Sequence, residues 1–344
     1  MRTPEERRRF SGICLGYAVE DRPASCQLTR RKRIIGQAPP EVRAARGAGR
    51  STTFVLRLLF NFIARLPLAT VHAVGGVLGR AVYWLSASYR GRLRENLRQA
   101  GYSDPALATA AAAEAGKQAL ETAWIWMRPR QDIVAKTEVA DMSIADAALA
   151  DGRPVMFLPP HLGCFEVTAQ FYAAFRPEAK ARPMTVLYRI PRKSVLRSIV
   201  ESGRAAEGLK LAPAEMKGVR MLMKAMKRRE VVGILPDQVP SRGEGAWAPF
   251  FGRNAYTMTL PARLAQQFDA IVLFVYGERL PAGQGYRIHL KRLEEPFTGD
   301  PAHDAAVMNR GLEALIRERP EQYLWGYNRY KVPAGAEPPG EAAP

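Results

Sequence analysis

The sequence predicts an α/β fold, with a central, mostly parallel mixed sheet flanked by helices and with hydrophobic helices near the N-terminus. Short apolar runs alternate with helical patterns between about residues 140 and 330, and a strongly apolar stretch begins at Thr53. Each short run is apolar on both faces, as expected of central strands that are covered by helices. The region from 104 to 332 is therefore expected to form one α/β domain.

The strand prediction rests on four apolar runs and on one alternating segment. The runs are residues 154–158, 184–188, 231–235 and 270–276, and the alternating segment, 286–293, should pair with the strand before it. Helical patterns lie between the strands at about 163–175, 194–207, 213–229 and 257–268. An alanine-rich helix is predicted at 104–128, with Asp104 as its N-cap and Pro105 as its first residue.

Residues 51–103 are predicted to form membrane-associating helices. Pro67 divides this apolar stretch, and Arg57 and Arg65 can extend their charged ends toward water. Because no uninterrupted run of about 18 apolar residues is present, we expect contact with the membrane interface rather than a conventional spanning helix. Two buried core helices are the alternative. The basic stretch 90–98 would then face lipid phosphates.

The two ends of the chain differ in composition from the rest. Residues 1–50 contain the basic runs "RRR" and "RRKR" and no sustained apolar period, and residues 333–344 are rich in Pro and Gly. We interpret both segments as disordered. The formal net charge of +18 implies an acidic partner without identifying it. Cys14, Cys26 and Cys164 form no CxxC pair, so neither a zinc knuckle nor a disulfide framework is indicated.

The segment "PPHLGCFE" (159–166) carries the first candidate site. His161 follows a buried strand, and Gly163 allows a turn into the helix that carries Glu166. Residues five apart on one helix point away from each other, so His161 and Glu166 can meet only if His161 lies in the turn. A carboxylate on one ring nitrogen would fix the imidazole tautomer and leave the other nitrogen as a general base. A capping histidine beside a surface glutamate is the structural alternative.

A second strand end carries Asp237 and Gln238, which would meet the first site if the two strands are parallel neighbours. Two other chemistries remain open at this point. Cys164 could be a nucleophile if its thiolate were stabilised. His161, Glu166 and Asp237 could also hold a metal ion, as mixed His and carboxylate ligands do in hydrolytic zinc sites.

Several motifs together resemble the late acyltransferases of lipid A biosynthesis, the bacterial lauroyl/myristoyl transferase family. They are "HLGCFE", "LPDQ", "GEGAWAPFFG", "PARLA" and "EQYLWGYNRYK", and the resemblance covers about Thr53 to Lys331. The family commonly has Asn and Trp where this chain has Cys164 and Phe165. It often has a histidine before its closing Arg-aromatic-Lys triplet, where this chain has Tyr327 and Asn328.

The resemblance implies transfer of an acyl chain from an acyl-carrier-protein thioester to a hydroxyl of a lipid A precursor. It implies a location on the cytoplasmic face of the inner membrane, and neither a metal ion nor an organic cofactor. His161 would be the general base and Glu166 its partner. The residues that would line the substrate site are Arg204, Asp237 and Gln238.

The expected partners are acyl carrier protein, an anionic glycolipid and the membrane surface, with no nucleic acid. Charge suggests further substrate-binding residues: Arg189, Arg192 and Lys193 after one strand, and Arg329 and Lys331 near the end. A basic stripe on the helix at 213–229 is a candidate surface for the carrier protein or for lipid phosphates. A lysophospholipid acceptor, a metal-dependent hydrolase and a non-catalytic membrane-binding protein remain alternatives.

Overall fold

A seven-stranded sheet forms the centre of the protein in the computed structural model, which describes residues 54–176, 178–191, 194–204 and 207–339. Its strand order is β1-β9-β8-β2-β5-β3-β4, and a separate hairpin pairs β6 with β7. The strands are β1 (Thr137–Val139), β2 (Val155–Leu158), β3 (Met184–Tyr188), β4 (Leu209–Pro213), β5 (Val231–Gly233), β6 (Gly245–Phe250), β7 (Arg253–Met258), β8 (Ile271–Arg279) and β9 (Tyr286–Arg292).

Helices cover both faces of this sheet. The first two are α1 (residues 54–65) and α2 (Leu68–Leu85). The others are α3 (Ala87–Gln99), α4 (Pro105–Met127), α5 (Arg130–Val134), α6 (Ser143–Ala150), α7 (Phe165–Phe175), α8 (Glu178–Ala181), α9 (Ser194–Arg204), α10 (Met216–Lys227), α11 (Leu260–Gln267) and α12 (Pro301–Glu318). The predicted N-cap is present, because the Asp104 side chain accepts a hydrogen bond from the backbone N–H of Ala106.

The predicted mixed sheet is confirmed. β8, β2, β5, β3 and β4 are parallel to one another, whereas β9 runs antiparallel to β8 and carries β1 beside it. Alternate residues of β2 enter opposite cores. Met156 and Leu158 pack with residues of α10 and α12, and Val155 and Phe157 pack with residues of α7. Every residue of β2 is buried, which explains why its sequence is apolar throughout.

The hairpin β6–β7 is not among the strands that the sequence predicts; its turn falls within the motif "GEGAWAPFFG". Phe251 (φ 48°) and Gly252 (φ 75°) form a two-residue turn in which both residues have positive φ, the kind of turn that matches the twist of paired strands. Pro249 and Gly245 weakened the strand signal. The hairpin packs on α12, and its Tyr256 and Thr257 accept hydrogen bonds from Arg329.

The N-terminal helices have one buried and one exposed apolar face. α2 packs on α4 so closely that a Cβ at Gly79 would lie 2.1 Å from the carbonyl O of Ala112, and one at Gly116 would lie 2.1 Å from that of Gly75. Large apolar side chains on the other side face outward. We call them the outer apolar face: Phe54, Val55, Leu58, Leu59 and Phe62 of α1, and Val74, Val77, Leu78, Val82, Trp84 and Leu85 of α2.

By length and composition, α2 is the one helix in the described part of the chain that could cross a membrane. The expectation of no spanning helix rests on the lack of an uninterrupted apolar run, which Arg80 breaks in α2; the mean hydropathy over 18 residues is nevertheless high enough. α2 is also an integral part of the folded domain, since its buried face carries His72 into an ion network with α4 and β8.

The ion network around Glu121 places several buried polar and charged side chains next to one another. Glu121 accepts hydrogen bonds from Arg279 (Nη2 at 2.6 Å) and Tyr286 (3.2 Å), and it lies 2.9 Å from Nε2 of His72. Burial alone would raise the pKa of Glu121, but the charge of Arg279 and the hydrogen bonds from His72 and Arg279 lower it from 4.5 to about 2. The ionised carboxylate therefore stabilises the fold above about pH 4.5, and this contribution is lost as the pH falls toward 2.

Replacing Glu121 with Gln should lower the free energy of unfolding by about 3 kcal/mol at pH 7, because the buried Arg279 would lose one of its two carboxylate partners and keep only Glu114. Equilibrium urea denaturation followed by tryptophan fluorescence measures this loss. Glu138→Gln is the matched control, since Glu138 pairs with Arg287 at the surface, where both side chains are about half exposed. It should cost less than about 1 kcal/mol. Equal losses in both variants would contradict the assigned role of the network.

Candidate active site

His161 lies in the turn between β2 and α7, as the sequence predicted. Gly163 has φ 56°, and a Cβ there would lie 2.1 Å from the carbonyl O of Gly277, so only glycine fits this turn. The turn is anchored on both sides. The N–H of Cys164 donates to Gly277 O (2.8 Å), and the N–H of Gly163 donates to Gln322 O (3.0 Å). The imidazole is thereby held at the carboxyl edge of the sheet.

The carboxylate that binds His161 belongs to Asp237, not to Glu166. Nδ1 of His161 lies 2.7 Å from Oδ1 of Asp237, and the backbone N–H of His161 donates to Oδ2 at 2.9 Å. Asp237 follows β5, the parallel neighbour of β2, so the two strand ends meet as expected. The predicted contact of His161 with Glu166 is wrong, because the Glu166 carboxylate pairs with Arg204 and Trp126 instead.

Glu166 is instead bound to Arg204 and Trp126. Both carboxylate oxygens pair with the Arg204 guanidinium, including Nε to Oε2 at 3.0 Å, and Nε1 of Trp126 donates to Oε2 at 3.0 Å. The reason is geometric. Glu166 is already in the first turn of α7, where its side chain points toward α9 and the end of α4 rather than back over the turn. Arg204 also lies over the Trp126 ring.

Asp237 is almost fully buried, with 2% of its surface exposed. Burial alone would raise its pKa, but the charge and hydrogen bonds of His161 and the charge of Arg329 hold the pKa of this carboxyl below its usual value. The Tyr323 hydroxyl interacts with the same carboxylate, and burial together with the Asp237 charge raises the pKa of Tyr323. Asp237 is therefore ionised beside a protonated phenol at neutral pH.

An ionised Asp237 must accept the proton of Nδ1, which leaves a lone pair on Nε2 of His161. Nε2 of Gln238 lies 3.1 Å from that nitrogen and can donate to it. The Phe165 ring packs against the imidazole, with ring centroids 4.9 Å apart. The site thus presents an imidazole with Nδ1 fixed by a buried carboxylate and with Nε2 next to the Gln238 amide.

The C-terminal segment, residues 322–331, holds both halves of this site. The N–H of Leu324 donates to the carbonyl O of His161 (3.1 Å), and the N–H of Val239 donates to the Tyr327 hydroxyl (3.0 Å). Asn96 of α3 in turn donates to the carbonyl O atoms of Trp325 and Tyr327. In the sequence this ending is recognisable only as part of the family resemblance. Its role in positioning the site was missed, because its contacts come from residues far apart in the chain.

A cavity of about 260 Å³ opens beside His161. Its wall is mostly apolar, and the two exposed residues among its lining are Arg189 and Ala214, which mark the mouth. Phe165 and Met184 are among its lining residues, whereas the Trp247 indole donates to the carbonyl O of Glu337. The other apolar lining residues are Phe157, Pro159, Ala169, Val186, Leu187, Tyr188, Leu209, Leu211, Leu235, Val239 and Met258.

The predicted substrate-binding residues differ in where they lie relative to the cavity. Arg189, Arg204 and Gln238 line the cavity, whereas Arg192 and Lys193 lie outside the described residues. The prediction for Arg329 is wrong: it is 2% exposed and donates to Tyr256 O (2.9 Å) and Thr257 Oγ1 (2.7 Å) inside the fold. Lys331 lies at the surface over the Tyr327 ring. The predicted extension 1–50 also falls outside the described residues.

The two rival chemistries do not fit this geometry. Cys164 is buried, and burial together with nearby Glu121 raises the pKa of its thiol, so a thiolate nucleophile is disfavoured. The proposed metal ligands His161, Glu166 and Asp237 do not converge, because Glu166 is held by Arg204. No group of three potential ligands that could hold a metal ion occurs within the described ranges.

Residues 333–339, expected to be disordered, include a turn and the contact with Trp247.

Comparison with known proteins decides the family. The model of the bacterial lipid A biosynthesis acyltransferases matches residues 42–332. The chain belongs to this family. A lipid A biosynthesis palmitoleoyltransferase of Escherichia coli (strain K12) is 27% identical over 229 residues, which cover 66% of this chain and 71% of the relative. A lipid A biosynthesis lauroyltransferase of the same strain is 27% identical over 219 residues, which cover 63% of this chain and 69% of the relative. A lipid A biosynthesis acyltransferase of Haemophilus influenzae is 22% identical over 203 residues, which cover 58% of this chain and 61% of the relative.

Membership in the lipid A biosynthesis acyltransferase family gives the site its reaction class, which is acyl transfer. Two positions at which the sequence departs from the family pattern have visible roles here. Phe165 packs on the imidazole of His161, and Tyr327 supports the backbone next to Gln238. Both substitutions therefore modify the surroundings of the histidine and leave His161 and Asp237 in place.

Proposed function

We propose that this protein transfers a fatty acyl chain from an acyl-carrier-protein thioester to a hydroxyl group of a lipid A precursor. The observation that carries the proposal is the His161–Asp237 pair beside an apolar cavity. A histidine with one nitrogen fixed by a buried carboxylate is equipped to remove a proton from a hydroxyl group. The adjacent apolar cavity offers a place for a hydrocarbon chain. The reaction needs no cofactor.

In the first step, Nε2 of His161 takes the proton of the acceptor hydroxyl while the oxygen attacks the thioester carbonyl. Asp237 accepts the Nδ1 hydrogen bond throughout and stabilises the imidazolium that forms. The tetrahedral intermediate then collapses, the carbon–sulfur bond breaks, and the imidazolium returns the proton to the leaving thiolate. An ester and a free thiol result, with no covalent acyl-enzyme.

Gln238 is placed to act on the developing oxyanion. Its amide lies 3.1 Å from the reactive nitrogen, so an incoming hydroxyl group must displace it. Once displaced, the amide N–H remains next to the reacting carbon, where it can donate to the carbonyl oxygen. Preorganised donors of this kind lower the barrier of acyl transfer by an amount of about 3 kcal/mol.

The acyl chain would enter the cavity with its carboxyl end at His161. Phe157, Met184 and Val186 contribute apolar wall at the level of the sheet. The Glu166–Arg204 pair closes another part of the wall and is tied to Trp126. In this account Glu166 shapes the cavity and supports α9 rather than taking part in proton transfer. The Arg189 guanidinium at the mouth is available to an anionic acceptor or donor.

We further propose that the outer apolar face of α1 and α2 rests on the cytoplasmic face of the inner membrane, where the acceptor lipid is found. Phe62 (60% exposed) and Val77 (62%) lie on this face. Patches of large exposed apolar residues mark interaction surfaces. The neighbouring helix α3 bears exposed Arg92, Arg94 and Arg98, which suit anionic headgroups.

The His161→Ala variant should lose acyl transfer by about a thousandfold in kcat, because no other group can take the hydroxyl proton at that position. Purified protein is incubated with a hydroxyacylated lipid A precursor and a panel of acyl carrier thioesters, and the product is identified by mass spectrometry. His303→Ala is the matched control, since His303 is an exposed residue near Glu295.

The same pair of variants can be tested in cells. Mass spectra of lipid A from a deletion strain should regain one acyl chain with the wild-type gene or with His303→Ala, and not with His161→Ala. Substantial transfer by His161→Ala would disprove the base assignment. If the protein acylated a lysophospholipid and the lipid A of the deletion strain were unchanged, the acceptor would be the lysophospholipid and not the lipid A precursor.

The Val77→Glu variant should bind vesicles of anionic phospholipid about tenfold more weakly, because a charge on the outer apolar face must be kept in water. Sedimentation with vesicles measures the bound fraction. Val332→Glu makes the same chemical change at another exposed valine (48% exposed) and should bind as the wild type does. Equal binding by the two variants would show that the outer apolar face does not contact lipid.

A further inference from the structure

We propose that the exposed face of α10 is the docking surface for the acidic acyl carrier protein. This inference rests on the proposed function, because it concerns the donor of that same reaction. The helix sequence, MKGVRMLMKAMK, contains no acidic residue. We call its exposed cations, together with the C-cap arginine, the basic row: Lys217, Arg220, Lys224, Lys227 and Arg228.

The basic row lowers the stability of α10, because its charges repel one another and one of them lies at the unfavourable end of the helix dipole. Arg220 and Lys224 are four residues apart, as are Lys224 and Arg228, and like charges at this spacing repel each other on a helix. Lys217 lies in the first turn, where the helix dipole disfavours a cation. Arg228 has a long contact with Glu230 (3.9 Å), and none of the other members has an ion pair within the described residues. These charges are therefore available to a partner.

α10 is placed beside the mouth of the cavity. It begins three residues after β4 ends at Pro213, and a Cβ at Gly218 would lie 1.8 Å from the carbonyl O of Pro213. The helix is thus seated directly on the strand end. Ala214, which lines the mouth, donates its N–H to Tyr188 O at 2.8 Å. A carrier protein on the first turns of α10 would present its thioester at the opening that leads to His161.

A protein partner fits this surface better than a lipid surface does. The apolar stripe of α10, which includes Leu222 and Met226, is buried in the core, and among the described residues Met216 (67% exposed) is the large apolar side chain that α10 leaves exposed. A helix that lies on a membrane would instead expose a broad apolar face to the lipid. A small apolar contact with a polar rim is typical of protein interfaces.

The test variant carries Lys217→Glu, Arg220→Glu and Lys224→Glu together. The control carries Lys136→Glu, Arg263→Glu and Arg292→Glu, which are exposed positions on other elements and give the same change in net charge. Steady-state transfer is measured with an acyl carrier thioester and, in parallel, with the same acyl group on free pantetheine. Salt dependence of KM for the carrier substrate is recorded for the wild type and both variants.

The test variant should show a KM for the carrier substrate that is about tenfold higher, with kcat and pantetheine-dependent transfer unchanged. Its KM should also depend less on salt than that of the wild type. An unchanged KM, or an equal rise in the control, would overturn the docking surface while leaving the proposed reaction intact. Weaker vesicle binding by the test variant with an unchanged KM would assign the basic row to lipid and overturn the inference. Failure of the wild-type protein to use any carrier thioester would overturn the proposed donor and its docking surface together.

Discussion

The two hydrogen bonds from His161 to Asp237 are the interaction on which the site depends. They join the ends of neighbouring parallel strands, with the ring at 2.7 Å and the backbone N–H at 2.9 Å. Because both oxygens of Asp237 are occupied by the same residue, the imidazole has one orientation and one tautomer. Nε2 is then directed at the cavity beside Gln238. This nitrogen lies beside the apolar cavity, and it is the atom that can act as the base in the acyl transfer typical of the family.

Keeping Asp237 ionised inside the protein requires compensation, and the C-terminal segment supplies much of it. Arg329 is buried with no carboxylate of the described residues in direct contact, and its charge is among the influences that lower the pKa of Asp237. Tyr323 adds a protonated hydroxyl beside the same carboxylate. Leu324 and Tyr327 tie this segment to the backbone on both sides of the pair. The end of the chain therefore acts as part of the active-site scaffold.

The positions of His161 and Asp237 could be predicted because each follows an apolar run long enough to be a buried strand. The identity of the carboxylate could not. Spacing shows that Glu166 is near His161 in the chain, but only the path of the turn at Gly163 decides where a residue in the first helical turn points. Arg329 was misjudged for a related reason: an arginine next to aromatic residues has the same sequence pattern whether it faces lipid or the core. The hairpin β6–β7 was missed because its proline and glycines masked the strand pattern.

The assignment of Asp237 rather than Glu166 is tested most directly by comparing kcat for Asp237→Asn and Glu166→Gln. In Asp237→Asn the amide oxygen must accept the His161 backbone N–H, so the NH₂ group faces Nδ1 and forces the proton onto Nε2, where it blocks the base. We expect kcat to fall by about a thousandfold or more with KM nearly unchanged. Glu166→Gln keeps an acceptor for Arg204 and Trp126, and its kcat should fall by less than about tenfold. A larger loss of kcat in Glu166→Gln than in Asp237→Asn would contradict the account.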